Sequence, residues 1–167
     1  GFAFGAQTLI GPVIGAAVVN LGEGLQTSFW RVDNGEMTWL SVDLAPIIEL
    51  RQQVLPTPDR LGYSAQSALD HSWMDAVDDS DGVVITAEGL FQYLTADVVF
   101  DLIVACAARF PNGQLVFDSV PRLLSAYSQR RGFRLSEHYT VPLMPFWFTA
   151  HRYDELAALP GIRAVRE

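Results

Sequence analysis

The feature of this sequence that most constrains its fold is a series of short apolar runs separated by segments of helical periodicity. Runs of this kind are typical of strands that are buried on both faces of a parallel sheet. Strands that alternate with helices predict a mostly parallel sheet with helices on both faces. A length of 167 residues matches a single domain. We therefore predict one α/β domain with a Rossmann-like sheet over residues 1–167.

The predicted elements follow one another along the chain. Apolar runs predict strands at Ala16–Leu21, Thr38–Asp43, Leu61–Ala65, Gly82–Thr86, Gln114–Asp118 and Gly161–Arg166. Apolar residues at spacings of three and four predict helices at Leu44–Leu55, Ala96–Arg109, Pro121–Gly132 and Tyr153–Leu159. A short helix within Ser67–Val77 is predicted to be capped by Ser72, and Thr95 is the expected cap of the next helix.

The charged residues exclude several classes of function. The chain has 11 basic and 19 acidic residues, a formal net charge of -8, and every basic residue is Arg. Chemistry that needs a lysine, such as a Schiff base or a phosphate-binding P-loop, is therefore excluded for this chain. An acidic protein repels phosphate backbones and anionic lipids, so we expect neither nucleic acid nor a membrane as a partner.

Metal, disulfide and serine hydrolase chemistry are not expected either. Cys106 is the single cysteine and lies in an apolar helical run, which predicts a buried thiol and a reducing compartment, the cytoplasm. His71, His138 and His151 show no metal-ligand spacing, and no Gly-x-Ser-x-Gly element is present. The sequence has no run of 18 uninterrupted apolar residues, so no transmembrane helix is predicted.

The candidate functional residues directly follow predicted strands, because parallel sheets bind ligands at the carboxyl ends of their strands. Gly22, Glu23 and Gly24 follow the first strand, where glycines allow a sharp turn and the close approach of a ligand. Asp43 lies 21 residues after Gly22, the spacing at which a carboxylate accepts hydrogen bonds from both hydroxyls of an adenosine ribose. The structural alternatives are a simple turn at the glycines and a helix cap at Asp43.

Two further carboxylates follow later strands. Asp70 is placed to accept a hydrogen bond from an adenine amino group, and its alternative interpretation is a solvated loop carboxylate. Glu88 ends an apolar strand, where a half-buried charge is costly without a partner, and this favours a ligand contact over a helix cap. Thr27 stands where the dinucleotide fingerprint has its third small residue, so the pattern for NAD is incomplete.

Four motifs at ordered spacing are VVNLGEGLQTSFWRVDNG, SVDLAPIIELRQQVL, SALDHSWMDAV and ITAEGLFQYLT. Together they resemble the leucine carboxyl methyltransferase family, and most closely its bacterial branch of polyketide-type O-methyltransferases. The resemblance spans Val18 to Asp118, with weaker matches to Leu159. It implies a class I methyltransferase fold, S-adenosylmethionine as cofactor and a small-molecule acceptor that is methylated on a carboxylate or hydroxyl.

The resemblance also implies where the cofactor lies. The glycine-rich turn would border its methionine part, Asp43 would hold the ribose, and the pair at residues 69–70 would border the adenine. The cofactor-binding residues implied in this way are Gly22, Glu23, Gly24, Asp43, Leu44, Leu69, Asp70, Glu88, Gly89 and Tyr93. No residue is assigned to catalysis and none to a metal.

The chain departs from the family pattern at three places. Gln26 stands where the family usually has Asp, residues 1–15 are few and apolar in place of a helical cover, and the chain stops before a final strand. We therefore expect cofactor binding with slow turnover, and pairing of two copies through the unfinished sheet edge. The alternatives are a cofactor-binding or interaction protein without catalysis and, more weakly, an NAD-dependent oxidoreductase.

Overall fold

A five-stranded parallel sheet forms the centre of this computed structural model, which describes residues 15–131, 133–136, 139–149 and 152–166. The strands are β1 (Ala17–Leu21), β2 (Thr38–Asp43), β3 (Leu61–Ala65), β4 (Val83–Ala87) and β5 (Gln114–Phe117), in the order β3-β2-β1-β4-β5. The predicted α/β fold is thus confirmed. A separate antiparallel hairpin, β6 (Phe133–Ser136) and β7 (Tyr139–Val141), was not predicted.

The strand order places a topological switch point between β1 and β4. From β1 the chain moves outward through β2 to β3, and it then returns to pair β4 with the other side of β1. Asn20 pairs with both Ser41 and Thr86, so the carboxyl ends of these central strands lie at the same edge. The crevice at such a switch point is where open parallel sheets bind ligands.

Helices cover both faces of the sheet, as predicted. They are α1 (Ser28–Val32), α2 (Ala45–Val54), α3 (Ala96–Arg109), α4 (Arg122–Arg131) and α5 (Tyr153–Ala157), with 3₁₀ segments at His71–Ala76 and Phe91–Tyr93. Phe29 of α1 packs with Val18 and Trp39 on one face. Val99, Leu102, Ile103 and Cys106 of α3 recur at spacings of three and four and pack on the other face. The predicted buried thiol is confirmed, and burial raises the pKa of Cys106 to about 12.

One predicted helix cap is wrong, and a second is confirmed in position only. Ser72 does not cap the short helix, because the Oδ1 atom of Asp70 accepts the backbone N–H of Ser72 at 3.1 Å and makes Asp70 the cap. An Asp at this position forms the turn two residues ahead of itself more readily than a Ser inside the helix can. Thr95 occupies the N-cap position of α3, but its side chain makes no capping hydrogen bond.

The predicted strand at Gly161–Arg166 is also wrong. Residues 162–166 have no regular structure and run over α3, where a Cβ on Gly161 would lie 3.1 Å from the Cβ of Ala107. The apolar residues of this segment, Ile162 and Val165, pack on the core, and residues 162–166 pair with no strand. The features predicted at residues 1–14, His138 and His151 lie outside the described residues. Within the described part of the chain, no helix is both long and apolar enough to cross a membrane.

Candidate functional site

A glycine loop, Gly22–Gln26, follows β1 at the switch point. Gly22 and Gly24 adopt positive φ angles of 66° and 57°, a conformation that glycine adopts without strain. The N–H of Gly22 donates to the carbonyl oxygen of Val42 at 2.8 Å. A Cβ on Gly22 would lie 3.1 Å from Cδ1 of Leu90, so the loops after β1 and β4 are in close contact. The sharp turn predicted at this motif agrees with its geometry.

Asp43, at the end of β2, is hydrogen bonded to this loop. Its Oδ2 accepts the N–H of Gly24 at 2.8 Å, and its Oδ1 accepts the N–H of Leu44 at 2.7 Å. Each carboxylate oxygen has two lone pairs, so both atoms keep the capacity to accept a further hydrogen bond. The residue at the N-cap position of α2 is Leu44, without a side-chain capping bond, so the cap alternative for Asp43 is not observed.

Glu88 and Asp118 form a second acidic group, after β4 and β5. The N–H of Gly89 donates to Oδ1 of Asp118 at 2.7 Å, which ties the two loops together. Burial, followed by the charge of Asp118, raises the pKa of Glu88, while the charge of Arg31 acts in the opposite direction. Sequence reasoning did not select Asp118, although it follows an apolar strand just as Glu88 does.

The remaining predicted residues line the same edge as exposed side chains. Asp70 is exposed, and its hydrogen bonds with Ser72 lower its pKa. Leu44, Leu69 and Tyr93 expose 57%, 41% and 38% of their surface. Leu25, which was not predicted, exposes 49% in the glycine loop. Large apolar side chains gathered at one exposed edge are typical of binding surfaces.

The Glu23 side chain does not belong to this exposed surface. It is completely buried, its Oε2 lies 3.1 Å from Nη2 of Arg51 in α2, and it accepts the indole N–H of Trp39 at 3.3 Å. Burial is the largest influence on its carboxyl and raises its pKa, against the opposing effects of Ser41, Arg51 and Trp39. Because no atom of this side chain is accessible to a ligand, we reassign it from cofactor contact to support of the loop.

The charge of the edge is strongly negative. Four of its carboxylates lie at or after the ends of successive strands: Asp43, Asp70, Glu88 and Asp118. An acidic edge of this kind attracts a cationic ligand and repels an anionic one. Among the described residues, no three His, Cys, Asp or Glu side chains are grouped closely enough to hold a metal ion.

The chain is similar in sequence to a characterised protein. The tetracenomycin polyketide synthesis O-methyltransferase TcmP of Streptomyces glaucescens is 29% identical over 106 residues, which cover 63% of this chain. The match covers 39% of TcmP, so this chain spans well under half the length of that relative. No family model matches the chain.

Solved structures agree with the topology. LepI in complex with S-adenosylhomocysteine and a substrate analogue superposes with a TM-score of 0.60, at 14% identity, over 88% of this chain and 37% of LepI. An O-methyltransferase-like protein from Nostoc punctiforme gives a TM-score of 0.53 at 17% identity, over 72% of this chain and 38% of the Nostoc protein. Human N-acetylserotonin methyltransferase in complex with S-adenosylmethionine gives a TM-score of 0.51 at 13% identity, over 70% of this chain and 35% of that enzyme. The chain has the class I methyltransferase fold. Its assignment to the leucine carboxyl methyltransferase family stays a prediction.

Proposed function

We propose that this chain binds S-adenosylmethionine at the carboxyl edge of its sheet and transfers the methyl group to an oxygen atom of a small molecule. The observation that carries the proposal is the position of Asp43. At the switch point of the sheet its carboxylate is hydrogen bonded to Gly24 of the glycine loop and still has capacity on both oxygens. Such a carboxylate is suited to both hydroxyls of a ribose.

Open space beside two glycines supports a ligand at this edge. Gly24 and Gly89 both adopt positive φ angles, and a Cβ built on either residue meets no atom within 4 Å. Open space therefore borders the backbone at the loops after β1 and β4. We assign Asp43 to the ribose and Leu69 with Asp70 to the adenine. The other assigned residues are Gly22, Gly24, Leu44, Glu88, Gly89 and Tyr93.

The site also fits the charge of S-adenosylmethionine better than that of NAD. The sulfonium and ammonium groups of S-adenosylmethionine complement an acidic edge, whereas the pyrophosphate of NAD is repelled by it. Pyrophosphate sites rely on the N-terminus of a helix, and α1 has only five residues, Ser28–Val32. Thr27 also occupies the position where the dinucleotide fingerprint needs a third small residue.

When bound, S-adenosylmethionine supplies a methyl group activated by its sulfonium. The residues of this chain would fix the cofactor and hold the acceptor oxygen in line with the departing sulfur. Most of the rate enhancement would come from this proximity and orientation. A carboxylate acceptor is an anion and needs no general base, and the positive sulfonium of the bound cofactor would offset its repulsion by the acidic edge. The likeness to a polyketide synthesis enzyme supports a polyketide-like acceptor with a carboxylate or hydroxyl group. The lone buried thiol of Cys106 supports a reducing compartment, the cytoplasm.

Calorimetry with the folded chain tests cofactor binding. We expect S-adenosylhomocysteine to bind and NAD not to bind. Asp43→Ala should weaken S-adenosylhomocysteine binding by ~2–4 kcal/mol, because two charged hydrogen bonds are lost. Its unfolding free energy without ligand should fall less, by ~1–2 kcal/mol, since the hydrogen bonds from the backbone N–H groups of Gly24 and Leu44 are lost. The control is Asp59→Ala, an exposed carboxylate before β3 at the opposite edge, which should leave the affinity unchanged.

Two results would contradict the proposal. Folded wild-type protein that gives no heat with either adenosyl ligand would overturn cofactor binding. Methyl transfer from labelled cofactor to aromatic polyketide acids and phenols tests the reaction itself. Binding without transfer to any acceptor oxygen would favour the alternative function, a cofactor-binding protein without catalysis.

A further inference from the structure

We infer that Arg51 is a positioning residue for the cofactor, because it holds the glycine loop in the conformation that orients Asp43. The inference rests on the proposed function, since it concerns the same site. Arg51 lies in α2, within the second of the four motifs but not among the residues that were assigned to the cofactor. Its side chain is fully buried and reaches back to the loop that follows β1.

The contacts of Arg51 are concentrated on the glycine loop. Its Nη1 atom donates to the carbonyl oxygen of Gly24 at 2.6 Å and to that of Gln26 at 3.0 Å. These partners precede it by 27 and 25 residues in the chain. One guanidinium thus fixes two carbonyl groups in a loop that has no regular structure of its own. The planar fork of an arginine is suited to several acceptors at once, which a lysine ammonium is not.

Glu23 orients this guanidinium from within the same loop. Its carboxylate lies 3.1 Å from Nη2 of Arg51, and neither side chain has exposed surface. Removing both charges from water is costly, and apolar residues of similar volume stabilise a fold at least as well as most buried ion pairs do. Stability alone therefore does not account for a fully buried pair at this position. Precise placement of the loop does account for it.

Gly24 links Arg51 to the ligand-binding carboxylate. Its N–H donates to Oδ2 of Asp43 at 2.8 Å, and its carbonyl oxygen accepts from Arg51. A glycine with a φ of 57° and open space beside its Cα is the most conformationally free kind of residue. The two hydrogen bonds restrict it from both sides. When the bond from Arg51 is lost, Gly24 gains freedom, and the N–H of Leu44 is then the one fixed donor that still orients the Asp43 carboxylate.

Arg60 provides a matched control elsewhere in the chain. Its Nη1 and Nη2 atoms lie 2.6 and 2.7 Å from the carboxylate of Asp33, and Nη1 donates to the carbonyl oxygen of Met37 at 2.8 Å. It therefore combines an ion pair with a bond to a backbone carbonyl, as Arg51 does. It lies directly before β3, at the amino edge of the sheet, away from the carboxyl edge.

The test compares Arg51→Lys with Arg60→Lys. Binding of S-adenosylhomocysteine is measured by calorimetry on folded protein, and thermal unfolding is followed in parallel. We expect Arg51→Lys to raise Kd about tenfold, the scale of coupling between contacting residues. Arg60→Lys should lower the melting temperature while leaving Kd within about twofold of wild type. An unchanged Kd for folded Arg51→Lys would overturn the inference, because a purely structural role affects stability alone.

A double-mutant cycle with Asp43→Ala shows whether Arg51 acts through Asp43. Because both residues bond to Gly24, their effects on Kd should be smaller together than the sum of the two separately. Additive effects would overturn the inference. If Arg51→Lys does not fold, Glu23→Gln replaces it in the same cycle and should also weaken binding non-additively. If wild-type protein itself fails to bind S-adenosylhomocysteine, the proposed function is overturned instead, so the two failures are distinguishable.

Discussion

Carboxylates that occupy equivalent positions in the sequence have different surroundings at the carboxyl edge. Asp43 accepts two backbone N–H groups and keeps the capacity for more. Glu88 is half-buried beside Asp118, so its charged form is disfavoured. Glu23 is fully buried and paired with Arg51. At the scale of single residues, it is the local partner and the degree of burial that separate a ligand-binding carboxylate from a supporting one.

The raised pKa of Glu88 predicts a pH-dependent loss of stability that Glu88→Gln removes. The folded state binds this proton more tightly than the unfolded state, since burial and Asp118 outweigh Arg31. Below the ordinary glutamate pKa of 4.5, Glu88 is protonated in both states and does not reduce the unfolding free energy. As pH rises from 4.5 through the folded-state pKa, the unfolding free energy falls. As pH rises, the unfolding free energy of Glu88→Gln should therefore increase relative to that of wild type.

Urea unfolding between about pH 4 and about pH 8 measures this difference. The matched control is Glu49→Gln, which changes an exposed carboxylate in α2. Its stability should run parallel to wild type across the range. Curves for Glu88→Gln that also run parallel to wild type would show that the Glu88 carboxyl titrates identically in the folded and unfolded states.

At the scale of elements, the loops after β1 and β4 form one structural unit. Leu90 packs against Gly22, and Gly89 bonds to Asp118 beyond β5, so the loops at the switch point constrain each other. The two glycines of the first loop have different neighbours. Gly22 is enclosed by Leu90, whereas Gly24 faces open space. The first therefore serves the packing of the loops, and the second serves the approach of the ligand.

Alanine at these two glycines should separate stability from affinity. Gly22→Ala combines a left-handed φ with a methyl group 3.1 Å from Leu90, and we expect it to lower the unfolding free energy by ~2–4 kcal/mol. Gly24→Ala has only the conformational cost of ~1–2 kcal/mol. It also places a methyl group in the open space of the site, so it should weaken S-adenosylhomocysteine binding to the folded protein.

The control for the glycine pair is Gly35→Ala. Gly35 has a φ of 85° and no atom within 4 Å of a built Cβ, but it lies in the turn before β2, at the amino edge. It carries the same conformational cost as Gly24→Ala and should leave the affinity unchanged. Urea unfolding and calorimetry on the three variants give both quantities. Equal affinities for Gly24→Ala and Gly35→Ala would place the ligand away from the glycine loop.

At the scale of the whole molecule, a net charge of -8 in 167 residues combines with the acidic carboxyl edge. The field of such a protein draws cations to the crevice, and salt screens it over about 10 Å at an ionic strength of 0.1 M. S-adenosylmethionine carries a sulfonium charge that S-adenosylhomocysteine lacks. Comparing the two ligands therefore isolates the electrostatic part of binding.

Raising the salt concentration should weaken S-adenosylmethionine binding more than S-adenosylhomocysteine binding. We expect Kd for S-adenosylmethionine to rise about threefold between about 0.02 and 0.5 M sodium chloride, since the attraction to the edge is screened. The Kd of S-adenosylhomocysteine serves as the internal control and should change less. Calorimetric titrations at each salt concentration provide both values. Equal salt dependence of the two ligands would show that the acidic edge does not face the sulfonium.

The parallel sheet and most of the site follow from local sequence patterns. Sequence patterns identified all five strands of the sheet, and the signal is plainest at β1 and β4, because a strand buried on both faces has few polar residues. The residues just past those runs included Gly22, Asp43 and Glu88. Topology alone brings such positions to one edge, since parallel strands all end on the same side.

Only the tertiary structure decided how the site is supported. The pairing of Glu23 with Arg51 joins residues on separate elements, and it arises when α2 packs on the sheet. The cap at Asp70 and the irregular path of residues 162–166 over α3 were likewise settled by competing neighbours. Local periodicity reports which face of an element is apolar. Local periodicity does not predict which buried polar groups contact each other across the fold, because those contacts depend on how the elements pack.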